Sequence, residues 1–166
     1  MPSRASGDDD GLESGDPAAA GPHIRRMHDY WTGLRGTRKF PAWSDVNLMD
    51  VYDVAPYVAV LDVETGAEGA AFRYRFYGTM LVDWRSRLRP ADPTGRLVGE
   101  IEWSFDPAPM VAAFTRVAVN AAPLVLTPNL LPGRSYHRFV RGVFPLGAAD
   151  SRVDQILVCL DEVGGG

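Results

Sequence analysis

The sequence predicts an α+β domain: a five-stranded antiparallel sheet with helices on one face and an extra N-terminal helix. Three observations carry that prediction. Phe72, Tyr74 and Phe76 alternate with Arg73, Arg75 and Tyr77, the period of two that belongs to a half-buried strand. Strand-like runs come first as a pair and later as a set of three, with helical periodicity between them. Neighbouring runs are joined by short turns containing Gly or Pro, which suit hairpins and therefore antiparallel pairing.

Residues 1–22 are dominated by Gly, Asp, Ser, Ala and Pro, with Leu12 the one large aliphatic side chain. Such a segment buries too little apolar surface to offset its ordering entropy and is expected to be a disordered tail. The ordered domain is expected over 23–163, with Gly164-Gly165-Gly166 a frayed end. Ile24, Met27, Trp31 and Leu34 recur at spacings of three, four and three, one stripe of a helix that Gly36 and Pro41 bring to an end. A second, shorter helix is predicted from Asn47 as N-cap, with Leu48, Val51, Tyr52 and Ala55 on its apolar face and Pro56 closing it.

The period then changes. Tyr57–Val63 reads as a mostly buried strand, Gly66–Gly69 as a turn, and Phe72–Tyr77 as its hairpin partner, with Tyr74 and Phe76 inward and Arg73 and Arg75 outward. A short helix over Thr79–Arg85 leads into a crossing punctuated by Pro90, Pro93 and Gly95. Met110, Phe114, Val117 and Ala121 mark a longer helix between Pro107 and Pro123. Leu124–Asn129, Tyr136–Leu146 and Val153–Leu160 are the last three strands. Numbering the five strands along the chain, the expected spatial order is 2-1-5-4-3, with the helical segments of 79–121 packed on one face.

A hydrophobic share of 46% and a charged share of 23% fit one globular domain in 166 residues. The net charge of −4 argues against nucleic acid as a partner, since phosphate binding needs a clustered basic excess. The charge is uneven: Arg4 faces five acids in residues 1–20, whereas residues 23–41 hold five basic side chains against Asp29. That basic stretch reads as a solvated helix face or a docking surface. No apolar run reaches the roughly 18 residues that span a bilayer, so no membrane partner is expected. Asp8-Asp9-Asp10 stand where a secretory leader would be basic and then apolar, which makes cytoplasmic the expected location. The lone Cys159 rules out an internal disulfide.

Specific residues carry a resemblance. Tyr30-Trp31-Thr32-Gly33-Leu34-Arg35-Gly36, followed by Pro41 and Asp45, is similar to the helix that opens a single-domain PAS-fold family common in alphaproteobacteria. Phe72-Arg73-Tyr74-Arg75 with Gly78-Thr79, then Thr94-Gly95-Arg96, then Pro145-Leu146 match further motifs of that family in order. The resemblance covers about residues 26–162; Ala42-Trp43 departs from it where a basic residue is expected. It implies a PAS sensor or adaptor of bacterial signalling that binds a small ligand or a protein partner, with no enzymatic activity and an unspecified cofactor. As no kinase, cyclase or DNA-binding segment follows, output through a signalling partner protein or a dimer is expected.

Catalytic signatures are missing from the sequence: it holds no Gly-x-Ser-x-Gly elbow, P-loop or Gly-x-Gly-x-x-Gly. Cys159 lies in the apolar run Ile156–Leu160 and reads as a buried structural thiol. His23, His28 and His137 lack the close spacing of metal ligands, so no metal is expected. His137 shares strand parity with Phe139 and Val143 and so joins Trp84, Trp103, Phe105 and Phe114 as a candidate pocket lining; the aromatic residues either line a ligand pocket or fill the core. A structural interaction module with a filled core and no ligand is the leading alternative, and a small α+β cone-fold enzyme a more distant one. Ile24, Met27, Trp31 and Leu34 have two destinations, the open face of their own sheet or the same helix of a second chain. The second, a homodimer with Trp31 at its centre, is the expectation.

Overall fold

The predicted strand runs assemble into one antiparallel sheet in the structure, a computed structural model that describes residues 12–17, 20–128 and 138–163. Its elements along the chain are β1 (Leu12–Gly15), α1 (Pro22–Arg35), β2 (Val58–Gly66), β3 (Gly69–Tyr77), α2 (Thr79–Trp84), α3 (Ala108–Asn120), β4 (Leu124–Pro128), β5 (Arg138–Leu146) and β6 (Gln155–Val163). The spatial order is β1-β4-β5-β6-β2-β3. The five strands that the sequence predicts therefore lie in the expected order, with the chain's first and last long strands paired in the middle. Leu12–Gly15, placed by composition in a disordered tail, instead adds a short sixth strand along β4. An edge strand draws on main-chain hydrogen bonds, which composition does not report. Residues 1–11 and the Gly164–Gly166 end lie outside the described residues.

Both faces of the sheet are covered. Residues paired across strands share a face, so Gly142, Phe144, Leu157, Cys159, Val58 and Val60 lie on one side and Arg141, Val143, Val158, Leu61, Tyr74 and Phe72 on the other. The first side is packed by α1. Ile24 sits over Gly142, where an added Cβ would come within 2.7 Å of the Ile24 Cγ2. Trp31 tilts against Phe144 and donates its indole N–H to the Pro145 carbonyl at 2.9 Å. The second side carries α2 and α3: Phe114 meets Phe72 edge-on and Trp84 lies on Phe139.

Within one chain this packing takes the α1 stripe to the first of its two expected destinations, the face of its own sheet. Ile24 and Met27 are fully buried and Trp31 nearly so within a single chain, with Leu34 half-buried. The stripe faces its own sheet because Gly142 leaves a socket for Ile24 and the Pro145 carbonyl offers Trp31 its acceptor. A seam built on these side chains would require α1 to leave the sheet.

Two details of register and local structure also differ from expectation. The pairing of β2 with β3 slips by one residue at Val60/Leu61, a β-bulge that leaves Arg75 without an opposite residue. Beyond it the faces exchange, so Tyr74 points inward as predicted but Phe76 lies opposite Val60 on the α1 side, half-buried, and Tyr77 takes the inward place beside Tyr74. Asn47 does cap a helix, accepting from the Met49 amide, but the segment is a pair of one-turn 3-10 helices, Leu48–Val51 and Ala55–Tyr57. Their tighter turn leaves Val51 buried and turns Tyr52 outward, 72% exposed.

Candidate ligand-binding site

On the side of the sheet away from α1, β3 and β5 bring polar groups into an otherwise apolar layer. β3 presents Tyr74 and Tyr77, whose rings meet edge-on at 5.1 Å. β5 presents Arg141 between Phe139 and Val143. The turn after α2 adds Arg85, only 4% exposed, and the crossing that follows adds Trp103 and Phe105. The two guanidinium groups are each laid over a ring of one aromatic pair: Arg85 over Trp103 at 4.8 Å and Arg141 over Phe105 at 5.2 Å, with those two rings 5.2 Å apart.

Burial pushes the Tyr74 and Tyr77 hydroxyls well above the usual phenol range, and the charges of Arg85 and Arg141 oppose that only in part. Both phenols are therefore neutral donors at physiological pH. Burial also pulls the Arg141 guanidinium down from its ordinary value, against the pull of the two tyrosines. Among the described residues no carboxylate forms an ion pair with Arg85 or Arg141. Arg85 donates from Nε and Nη2 to the Pro90 carbonyl at 3.3 and 3.1 Å, while its Nη1 is buried with no partner. Asp92, the carboxylate felt by Tyr77, is exposed and accepts from the Thr94 amide and hydroxyl.

A buried guanidinium without a counter-charge is costly, and two near the same pair of phenols cost more. The surface contrasts with this. Arg73 pairs with Glu64, Arg75 with Asp62, Arg38 with Asp45 and Arg152 with Asp154. A cleft of about 550 Å³ along the outside of the same crossing is lined by Arg89 and Arg96 against Glu100 and Glu102, so its charges balance. The inner-face cluster instead holds two guanidinium groups that form no ion pair with a carboxylate among the described residues.

The aromatic residues singled out from the sequence separate into three roles. Trp103 and Phe105 carry the guanidinium groups, with Phe105 42% exposed at the rim. Trp84 forms a further wall with Phe139 at 4.4 Å and Tyr57 at 5.6 Å. Phe114 is 1% exposed against Phe72 and fills the core. His137 lies outside the described residues. Arg85, Arg141, Tyr74 and Tyr77 were not predicted as site residues. The parity argument that selected His137 selects Arg141 equally, since both alternate in register with Phe139 and Val143.

Cys159 is fully buried on the α1 side opposite Gly142, and burial raises its thiol pKa far above the usual range, which leaves it inert at neutral pH. Among the described residues no three His, Cys, Asp or Glu side chains come together as metal ligands, and no helix is long and apolar enough to cross a membrane. Comparison with protein-family models, curated proteins and solved structures found no match to this chain.

Proposed function

We propose that this chain is a PAS-type sensor or adaptor domain of bacterial signalling, which holds a small ligand between the inner face of its sheet and the α2–α3 segment. The single observation that carries the reading is a pair of guanidinium groups on the inner face, Arg85 buried and Arg141 half-buried with its charge desolvated, with no carboxylate in an ion pair with either among the described residues. A filled, ligand-free core has no use for two uncompensated cations, because apolar side chains of similar volume would be more stable there. The order of the five long strands and the motifs that resemble the PAS family support the same reading. In it the domain acts by binding, without catalysis, and passes its state to a protein partner by way of α1.

A ligand-free interaction module is the second reading, favoured by Met49 and Tyr52, which stand 75% and 72% exposed near one another in sequence. Native mass spectrometry of protein purified from its own host separates the two. A retained small molecule supports the sensor. A chain that arrives without one, and whose Met49→Ser/Tyr52→Ser variant loses a co-purifying partner, supports the interaction module.

A further inference from the structure

The donor inventory of this cluster narrows what it can bind; the inference rests on the sensor reading. Arg85 and Arg141 offer N–H donors only, and Tyr74 and Tyr77, kept protonated by burial, offer O–H donors. The nearest carboxylates are exposed, Asp92 beside Tyr77 and Glu162 opposite Phe139, and among the described residues neither forms an ion pair with Arg85 or Arg141. The phenol oxygens can also accept, Tyr77 from Arg85, but the two guanidinium groups leave the site donor-rich and positive, complementary to an acceptor that carries negative charge. Trp103 and Phe105 each cover one flat side of a guanidinium; the Pro90 carbonyl takes the Nε–Nη2 side of Arg85, so its buried Nη1 and the N–H groups of Arg141 are what remain to meet a carboxylate in the guanidinium plane. Trp84 and Phe139 supply a flat apolar wall on the same face of the sheet. We infer that the site takes a small carboxylate with a flat, apolar body, its oxyanion met by Arg85 and Arg141 and its body laid among the aromatic rings.

The test uses the full chain and four probes of one shape: benzoate, phthalate, phenyl phosphate and benzamide. Thermal unfolding and calorimetric titration should show benzoate or phthalate binding and raising the midpoint, with neutral benzamide doing neither. Arg85→Gln and Arg141→Gln should each weaken that binding by about tenfold to a hundredfold, the loss of a charge-assisted hydrogen bond. Binding of phenyl phosphate alone would overturn the carboxylate assignment, equal binding of benzamide would overturn the anion, and no binding of any probe would overturn both. Arg141→Met gives a readout that needs no ligand. The variant should be at least as stable as the parent, because it removes an uncompensated buried cation. A large loss of stability would show that a carboxylate of the chain itself, such as the Asp8–Asp10 run, already neutralises Arg141, and the inference would fall. A neutral or cationic molecule on the host-purified protein would end this inference and leave the sensor reading standing. An empty protein that ignores all four probes would end both.

Discussion

At the scale of single residues the inner face of the sheet is decided by Tyr74. It is 4% exposed, beside Tyr77 and close to two guanidinium groups. Tyr74→Ala should cost about 3–5 kcal/mol in chemical denaturation, as other large core truncations do. Phe76→Ala should cost clearly less, because the bulge places Phe76 half-buried on the other face. Equal losses at the two positions would mean that the bulge is absent in solution. The phenols also give a pH signature. Their pKa values are raised in the folded chain above the ordinary 10.0, so the folded state favours the protonated form. That contribution is fully present below pH 10, and it is lost as the pH rises through the unfolded value towards the folded ones. Phenolate absorbance should therefore show two tyrosines that stay silent past pH 10 and ionise together with cooperative unfolding. Six tyrosines titrating smoothly with no unfolding step would contradict their burial.

At the scale of elements, α1 is held by three contacts that no helix propensity contains. Gly21 offers no side-chain cap, and the Asp161 carboxylate of β6 takes over, accepting from the His23 and Ile24 amides at 3.0 Å each. Asp161→Ala should cost about 1–3 kcal/mol and speed amide exchange in the first turn of α1, with the sheet unaffected. Gly142→Ala should destabilise through the Ile24 contact, and the double variant with Ile24→Ala should lose less than the sum of the two single losses. Strict additivity would show that the two do not touch. These contacts mark the limit of what the sequence makes legible. The β2–β3, β4–β5 and β5–β6 hairpins could be read because each of those pairs joins consecutive strands, and the α1 stripe because 3-4-3 spacing is local too. The destination of that stripe was not legible, since it depends on a glycine more than a hundred residues away. The bulge escaped for a different reason: alternation continues through Phe76 in the sequence, and only the partner strand reveals the slip. The aromatic half of the site was visible as composition. The signal for its charged half is Arg141 itself, which alternates in register with Phe139 and Val143 on the inner face of β5.

At the scale of the whole molecule, the two faces of the sheet are connected around the start of β2 by a run of rings. Phe139 on the site face meets Trp84 at 4.4 Å, Trp84 meets Tyr57 at 5.6 Å, and Tyr57 stacks on His23 at 4.1 Å. His23 lies in the first turn of α1, its Nδ1 bonded to the Leu160 carbonyl at 3.0 Å and its amide to Asp161. A sensor needs its ligand to favour one packing of an output element over another, and contiguity alone does not show that this happens. Coupling does have a measurable consequence in the unliganded protein. Trp84→Leu removes the middle ring from the site side without touching α1 directly. If the run is mechanical, amide exchange in the first turns of α1 should quicken several-fold while the β2–β3 hairpin keeps its protection. A His23→Ala background should abolish that increment, because the last link is already gone. Unchanged α1 exchange in Trp84→Leu, or an increment that survives in His23→Ala, would show that the rings merely pack. The same α1 protection should be independent of protein concentration, since Ile24, Met27 and Trp31 are buried within one chain. A protection that rises with concentration would instead mean that a second chain covers the helix, and α1 would then report assembly in place of the state of the site.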